Sequence, residues 1–343
     1  MRSRAIISYT TLAPLLILLL TQIFKQAPDP TLVARIQTIV VQNTVIAEKP
    51  IHLLFAGDMM FDRAVEKKIE TVGKGDYNFP FLLILDYLRS FDGVITNLEG
   101  PISDRGTKVG SIYSFEMNPE TAKALKNANI KAVQFANNHV WDYGKQAFED
   151  TLLHLKENDI VYIGAGNNAD EAYAPVILDI NGTRIGLLAF SEFLKNIEAD
   201  PPSHEVTDGQ GNALGIAVID DIKIKQAIEN ARDKVDVLAV LFHWGNEYQQ
   251  KPRVDQIARA RRVIDWGADM VIGNHPHVVQ ISEVYKEKPI YYSLGNFVFD
   301  QNFSKETMEA GLLEVTIQDK KIQSTVLKKA HINKDFQVIS PVQ

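Results

Sequence analysis

Cysteine is absent from this chain of 343 residues. A disulfide scaffold, a thiolate zinc site and a cysteine nucleophile are therefore excluded, and any metal must be held by His, Asp, Glu or Asn. A basic surplus is absent too: 36 Lys+Arg face 43 Asp+Glu, for a net charge of -7. Proteins that track nucleic-acid phosphates carry an excess of positive charge, so no nucleic-acid partner is expected. Internal repeats and low-complexity tracts are missing, and Gly and Pro are spread evenly after residue 50. What is present is 45% hydrophobic and 9% aromatic residues, enough for a hydrophobic core in one large domain or two modest ones.

The mean hydropathy of -0.10 averages over an uneven chain. From Ala5 to Phe24 there is no charged residue, and the stretch includes Leu15-Leu16-Ile17-Leu18-Leu19-Leu20. At 1.5 Å per residue, a helix of this length spans about 30 Å of hydrocarbon. Arg2 and Arg4 precede it and the first acidic residue is Asp29, which keeps the N-terminus cytoplasmic and sends the rest outward. A cleaved signal peptide is the alternative. The following Lys25-Gln26-Ala27-Pro28-Asp29-Pro30 lacks a small-x-small site, which favours an uncleaved signal anchor. The expected organisation is a transmembrane helix over 1–24, a linker over 25–50 and one domain over 51–343. The protein is then a single-pass protein of the cell membrane with its C-terminal domain extracytoplasmic.

Within that domain, short continuous apolar runs alternate with helical patterns, the form taken by buried parallel strands in an α/β fold. Strands are expected at 51–56, 93–96, 132–136, 185–190, 235–242, 270–272 and 290–293. A helix follows Asp142, which suits an N-cap, and ends near Asn158. Another runs from Val254 to Trp266 and stops at Gly267. From 312 to 339 the alternation is that of antiparallel strands, with a turn at Asp319-Lys320-Lys321.

The residues just after the strands are alike in chemistry. They are Asp58, Asn97 and Glu99, Asn138 and His139, Ser191 and Glu192, His243, His275 and His277, and Asn296. Open α/β sheets place ligands beyond the carboxyl ends of their strands, so these residues are expected to converge. Taken singly, each has an ordinary reading: Gly57-Asp58 as a turn, Asn137-Asn138-His139 as a helix cap, His243 as a satisfied core histidine. Taken together they form an oxygen and nitrogen donor set suited to Mn, Fe, Zn or Mg. His52, His154, His204 and His331 fall elsewhere. Glu192, Glu247, Asn296 and Asp300 are placed near the site without a role.

Six segments carry a resemblance. Gly57-Asp58-Met59-Met60-Phe61-Asp62-Arg63, Asn97-Leu98-Glu99, Asn137-Asn138-His139 with Asp142 and Gly144, His243-Trp244-Gly245 with Glu247, Gly273-Asn274-His275-Pro276-His277, and Ser293-Leu294-Gly295-Asn296-Phe297 occur in that order. Over about residues 51–301 the chain resembles the CapA family of capsule or poly-gamma-glutamate synthesis proteins, whose fold is that of the calcineurin-like metallophosphoesterases. The resemblance implies a four-layer α/β/β/α sandwich, with the antiparallel tail in its second sheet. It also implies one or two divalent ions: Asp58, with His277, at a first metal, and Asn138, His243 and His275 at a second. Glu99 is then a candidate bridge and His139 the acid facing a leaving group. Two departures stand out, Met60 where the superfamily has a histidine and Asn97-Leu98-Glu99 where it has a bridging Asp.

A complete site of that kind hydrolyses phosphoesters, with an imidazole protonating the leaving oxygen. Family membership implies instead a part in making or exporting an anionic capsule polymer, beside other capsule-synthesis subunits. Arg63 is expected to hold an anionic group, or else to pair with a nearby Glu on a helix surface; Asn97 is expected to contact substrate. Lys251, Arg253, Arg259, Arg261 and Arg262 are a candidate basic patch for a polyanion, or else a solvated helix face.

Overall fold

The computed structural model describes residues 49–109, 112–193, 206–207 and 213–341. The expected anchor, and the linker up to residue 48, lie outside the described residues. Among the described residues no helix is long and apolar enough to cross a membrane. The chain divides into two units, 1–48 and 49–343, and the second is described below.

Its first half alternates strand and helix: β1 (Ile51–Met59), α1 (Arg63–Thr71), α2 (Leu85–Arg89), β2 (Gly93–Leu98), α3 (Glu120–Asn127), β3 (Ile130–Gln134), α4 (Gly144–Glu157) and β4 (Val161–Ile163). Then come β5 (Ala165–Gly166), α5 (Ala169–Tyr173), β6 (Val176–Ile180), β7 (Thr183–Ser191), β8 (Val206–Thr207), β9 (Ala213–Ile216), α6 (Asp221–Arg232), β10 (Val237–His243) and α7 (Val254–Asp265). The chain continues through β11 (Met270–Asn274), β12 (Ser282–Tyr285), β13 (Lys288–Tyr291), β14 (Asn296–Val298), β15 (Glu309–Gln318), β16 (Lys321–Ile332) and β17 (Val338–Ile339).

Two sheets result. The first has the order β17-β16-β15-β1-β2-β3-β4 with β14 also pairing β1, and the second the order β12-β13-β11-β10-β7-β6. β1 to β4 are mutually parallel, as are β7, β10, β11 and β13.

Successive side chains of a strand point to opposite faces, and this period of two builds the layers. In β1, Leu53 and Phe55 enter a core shared by both sheets, which also takes Ala239 and Leu241 of β10. Leu54 and Ala56 point the other way, into a core with Leu125, Phe148 and Leu155 of the helices. On the far side of the second sheet, Leu238, Val240 and Phe242 meet Ile228, Val263 and Ile264. Each fully buried side chain of this size stabilises by about 1.5–3 kcal/mol. Helix, sheet, sheet and helix thus stack in four layers.

Three expectations need correction. The antiparallel tail joins the first sheet rather than the second: β15 pairs with β1 from Ile51↔Ile317 to Phe55↔Leu313. Its hairpin turns on Asp319 and Lys320, both at positive φ (51° and 61°), as a two-residue turn between twisted strands requires. Gly57 is not a turn but lies within β1, where a Cβ would come 1.8 Å from the Gly295 carbonyl oxygen. Only glycine admits that close approach. Asp142 does not cap α4, whose N-cap is Tyr143 without a side-chain bond, because its carboxylate is used by His139 and the Phe115 amide.

Candidate metal centre

The carboxyl ends of strands from both sheets meet at one edge. β1 delivers Asp58, β2 delivers Asn97 and then Glu99, and the turn after β3 delivers Asn138 and His139. β10 ends on His243 and β11 leads into His275 and His277. The sheets are tied there by Asn274 Nδ2, which donates to Gln134 Oε1 at 2.9 Å. His275 and His277 have φ of 97° and 56°. Non-glycine residues hold such angles only where the surroundings over-determine them, commonly at functional sites.

Asp58 and Glu99 are fully buried. Asp58 Oδ2 lies 3.4 Å from His277 Nδ1, and Glu99 Oε1 lies 3.5 Å from His277 Nε2 and 3.8 Å from His139 Nε2. That Glu99 oxygen has no hydrogen-bond partner among the described residues. Alongside, His243 Nε2 is 2.7 Å from Asn138 Oδ1 and 3.2 Å from His275 Nδ1. The first-metal pair and the second-metal trio implied by the resemblance therefore each stand within a few ångströms, and the two sets adjoin.

The supporting bonds fix the rings. His277 Nδ1 lies 2.9 Å from Asn296 Oδ1, which leaves Nε2 toward Glu99. His139 Nδ1 lies 2.7 Å from Asp142 Oδ2, leaving its Nε2 toward the same carboxylate. Both partners stand in segments that the sequence singles out, but Asp142 reads there as a helix cap and Asn296 has no role until the fold sets each beside its histidine.

Burial sets the electrostatics. It pushes both carboxyls upward, Glu99 the further because Asp58 also repels it. It pushes His243 and His275 well below the usual imidazole value, and His277 down to about 3. The fold thus concentrates reluctant anions beside unprotonated imidazoles. A divalent cation resolves both at once, by stabilising the carboxylates and accepting the ring lone pairs. The orphaned Glu99 oxygen and the all-nitrogen-and-oxygen donor set fit such an ion.

Other expected residues stand differently. Asn97 is fully buried; its Nδ2 donates to Asp58 (2.8 Å) and Glu99 (3.2 Å), and its Oδ1 accepts from Asn137. It orders the two carboxylates. Arg63 pairs through Nε with Asp300 at 3.0 Å, not with a Glu, and its guanidinium lies 5.4 Å over the Phe115 ring. Met60 is buried with Phe115 and Phe299, and its sulfur accepts from the Asp62 amide at 3.0 Å. The arginines of the basic patch are neutralised by nearby carboxylates: Arg253 pairs with Glu192 and Asp255, Arg259 and Arg262 with Asp221, and Arg261 with Glu283. His52, His154 and His331 sit away on β1's start, α4 and β16, and His204 lies outside the described residues.

An α/β protein with a candidate divalent-metal centre at its strand ends is the class that fold and site define. Residues 52–301 match the family described as bacterial capsule synthesis protein PGA_cap, and the chain belongs to that family. It is similar to the capsule biosynthesis protein CapA of Bacillus anthracis, 34% identical over 276 residues covering 78% of this chain and 64% of that one. It is also similar to the PGA biosynthesis protein CapA of Bacillus subtilis, 32% identical over 263 residues covering 76% of this chain and 66% of that one. The chain thus spans just under two thirds of each relative's length. Among solved structures, a phosphatase of Mycoplasma pneumoniae shares 14% identity at a TM-score of 0.47, covering 82% of this chain and 94% of that chain.

Proposed function

We propose that this protein serves the biosynthesis or export of a capsule polymer of the poly-gamma-glutamate type, through a divalent-metal site at the strand ends. Residues 1–24 would anchor it in the cell membrane, with the domain from residue 51 extracytoplasmic and beside other capsule-synthesis subunits. The observation that carries the reading is the convergence of Asp58, Glu99, Asn138, His243, His275 and His277 in a member of a capsule synthesis family. One or two bound ions would supply Lewis-acid attraction for carboxylate or phosphoryl oxygens. That attraction matters in a chain of net charge -7 whose helix-face arginines are already paired. A cleft of about 580 Å³ lined by Tyr248, Lys251, Val278, Phe303, Ser304 and Glu306 adjoins the centre through Tyr248, whose ring stacks 6.1 Å from that of His277. It supports room for an extended polymer segment beside the metal site.

A second reading, a metal-dependent phosphoesterase acting outside the membrane, is favoured by His139. Asp142 holds its Nδ1 and so fixes which nitrogen is free. Nε2, facing Glu99, is the atom that would pass a proton to a leaving oxygen.

The test uses a capsule-forming host in which the chromosomal copy is replaced by His243→Ala or Asp58→Asn. Capsule output is expected to fall at least tenfold, and unchanged output from both variants would sink the metal-site role. In parallel, the purified full chain is assayed with Mn and a generic phosphodiester. Turnover that drops by about 10²–10⁴ in His139→Ala establishes the second reading, and its absence in the wild type retires it.

A further inference from the structure

The loop after β10 carries a carboxylate with no role so far. Glu247 is exposed, yet one of its oxygens and one ring nitrogen each of His275 and His277 all lie within 4.8 Å of one another. Asp58, Glu99 and His243 form a second group on the same measure, entirely buried. The two groups touch, His275 Nδ1 being 3.2 Å from His243 Nε2 and His277 Nε2 being 3.5 Å from Glu99 Oε1.

The loop backbone is fixed on both sides of Glu247. The Gly245 amide donates to Glu192 Oε2 at 2.9 Å, and the Tyr248 amide donates to the Pro276 carbonyl at 2.8 Å. Tyr248 holds a φ of 61°, its hydroxyl accepts from Gln301 Nε2 at 3.1 Å, and its ring lies over His277. An ordinary loop carboxylate spreads into solvent with nothing to hold its backbone. This one is seated above two buried imidazoles that themselves occupy strained backbone. Met60, by contrast, has its sulfur engaged with the Asp62 amide and its side chain among phenylalanines, so it offers the centre no donor.

We propose that Glu247 is a metal ligand, which joins His275 and His277 to hold a divalent ion on the solvent side of the buried group Asp58–Glu99–His243, a grouping that cuts across the pairing of His277 with Asp58 and of His275 with His243 that the resemblance implies. The proposal rests on the metal-site reading above. It divides the centre into an inner position enclosed by buried donors and an outer one capped by an exposed carboxylate. An ion held at the outer position would be the more exposed of the two, and would offer its Lewis acidity first to an incoming carboxylate or phosphoryl oxygen.

The experiment strips the full chain with a chelator and titrates Mn²⁺ by equilibrium dialysis, reading metal content by mass spectrometry and bound Mn²⁺ by electron paramagnetic resonance. Wild type is expected to show two classes of site. Glu247→Ala loses the weaker class, with affinity reduced tenfold or more, and Glu247→Asp recovers part of it. Glu229→Gln, exposed on α6, leaves both classes intact. Because Glu247 is exposed, metal-free Glu247→Ala unfolds at the wild-type midpoint, which separates ligand loss from misfolding. Wild-type ions held equally well by Glu247→Ala overturn this proposal and leave the metal reading standing. A wild-type chain that takes up no ion overturns both.

Discussion

The two ends of β11 treat acidic side chains in opposite ways. Asp269 immediately precedes the strand, and its carboxylate accepts from Arg232 Nη1 at 2.7 Å, Lys288 Nζ at 2.5 Å and the Leu238 amide at 2.9 Å. Burial pushes this carboxyl up, but those three bonds outweigh it and hold it below the ordinary range. At the far end, beyond His275, burial likewise pushes Asp58 and Glu99 up, and the groups facing them there are imidazoles held uncharged. One end carries its own cations and is complete as a structure. The other end has donors that fit a cation from outside and no Arg or Lys paired to them among the described residues, which is the physical mark of a candidate site rather than of a scaffold.

The strongest way to break this comparison is to supply that cation. An ion that binds only the folded state stabilises it by about 2.7 kcal/mol at one hundred times its Kd, so Mn²⁺ is expected to raise the thermal midpoint of the wild type. Asp58→Asn should remove the inner site's share of the gain, yet leave the metal-free protein as stable as the wild type or more so, since it removes a charge the fold does not balance. Calorimetry with and without chelator measures both, and a metal-free variant that unfolds several degrees early would make Asp58 another Asp269.

The counterpart is Asp269→Asn, expected to cost about 1.5–3 kcal/mol at pH 7 by urea denaturation, the range for hydrogen bonds to charged groups. Its pH dependence has a definite sign. A carboxyl whose folded value is depressed contributes its full stability above the unfolded value of about 3.9 and loses it as pH falls through the folded value. The gap between wild type and variant should therefore close below about pH 4, and a gap constant down to pH 2 would remove the charge from the explanation.

The smallest effect is expected on α7. Arg261 pairs with Glu283 at 2.8 Å while nearly half exposed, and exposed pairs contribute at most about 1 kcal/mol. A loss of 3 kcal/mol in Arg261→Ala would place this face with Asp269 rather than with solvent.

Much of the architecture is legible in sequence because parallel strands buried on both faces must be continuously apolar. β10 is expected over 235–242 and found over Val237–His243, and β7 is expected over 185–190 and found over Thr183–Ser191. Short edge strands such as β4, β12 and β14 leave no such mark, having three or four residues each. The polar residues that follow the long strands are legible for the same reason, since strand ends locate them. Which of them meet is not. Asn97 is chemically as fit for substrate as for the carboxylates it bonds, and Asp142 looks like a helix cap until the fold sets His139 beside it.

The arginines of α7 make the same point from the surface. Their spacing allows a polyanion-binding stripe, and only the packing of α6 and β12 against them brings Asp221 and Glu283 within reach. Glu247 is the converse case, an exposed loop acid in sequence that the Tyr248–Pro276 bond carries to two histidines nearly thirty residues further along.

Sequence by itself determines the absence of thiolate chemistry, the alternating α/β plan and the imidazole, carboxylate and carboxamide character of the strand ends. These follow from composition and from periods of two and 3.6 residues, which are local. Tertiary structure alone decides that the tail completes the first sheet, that Asp58 and Glu99 are buried without the guanidinium and ammonium partners given to Asp269, and that Glu247 stands at the mouth. Those outcomes depend on which distant groups share a low-dielectric space, and residue spacing along a chain does not encode that distance.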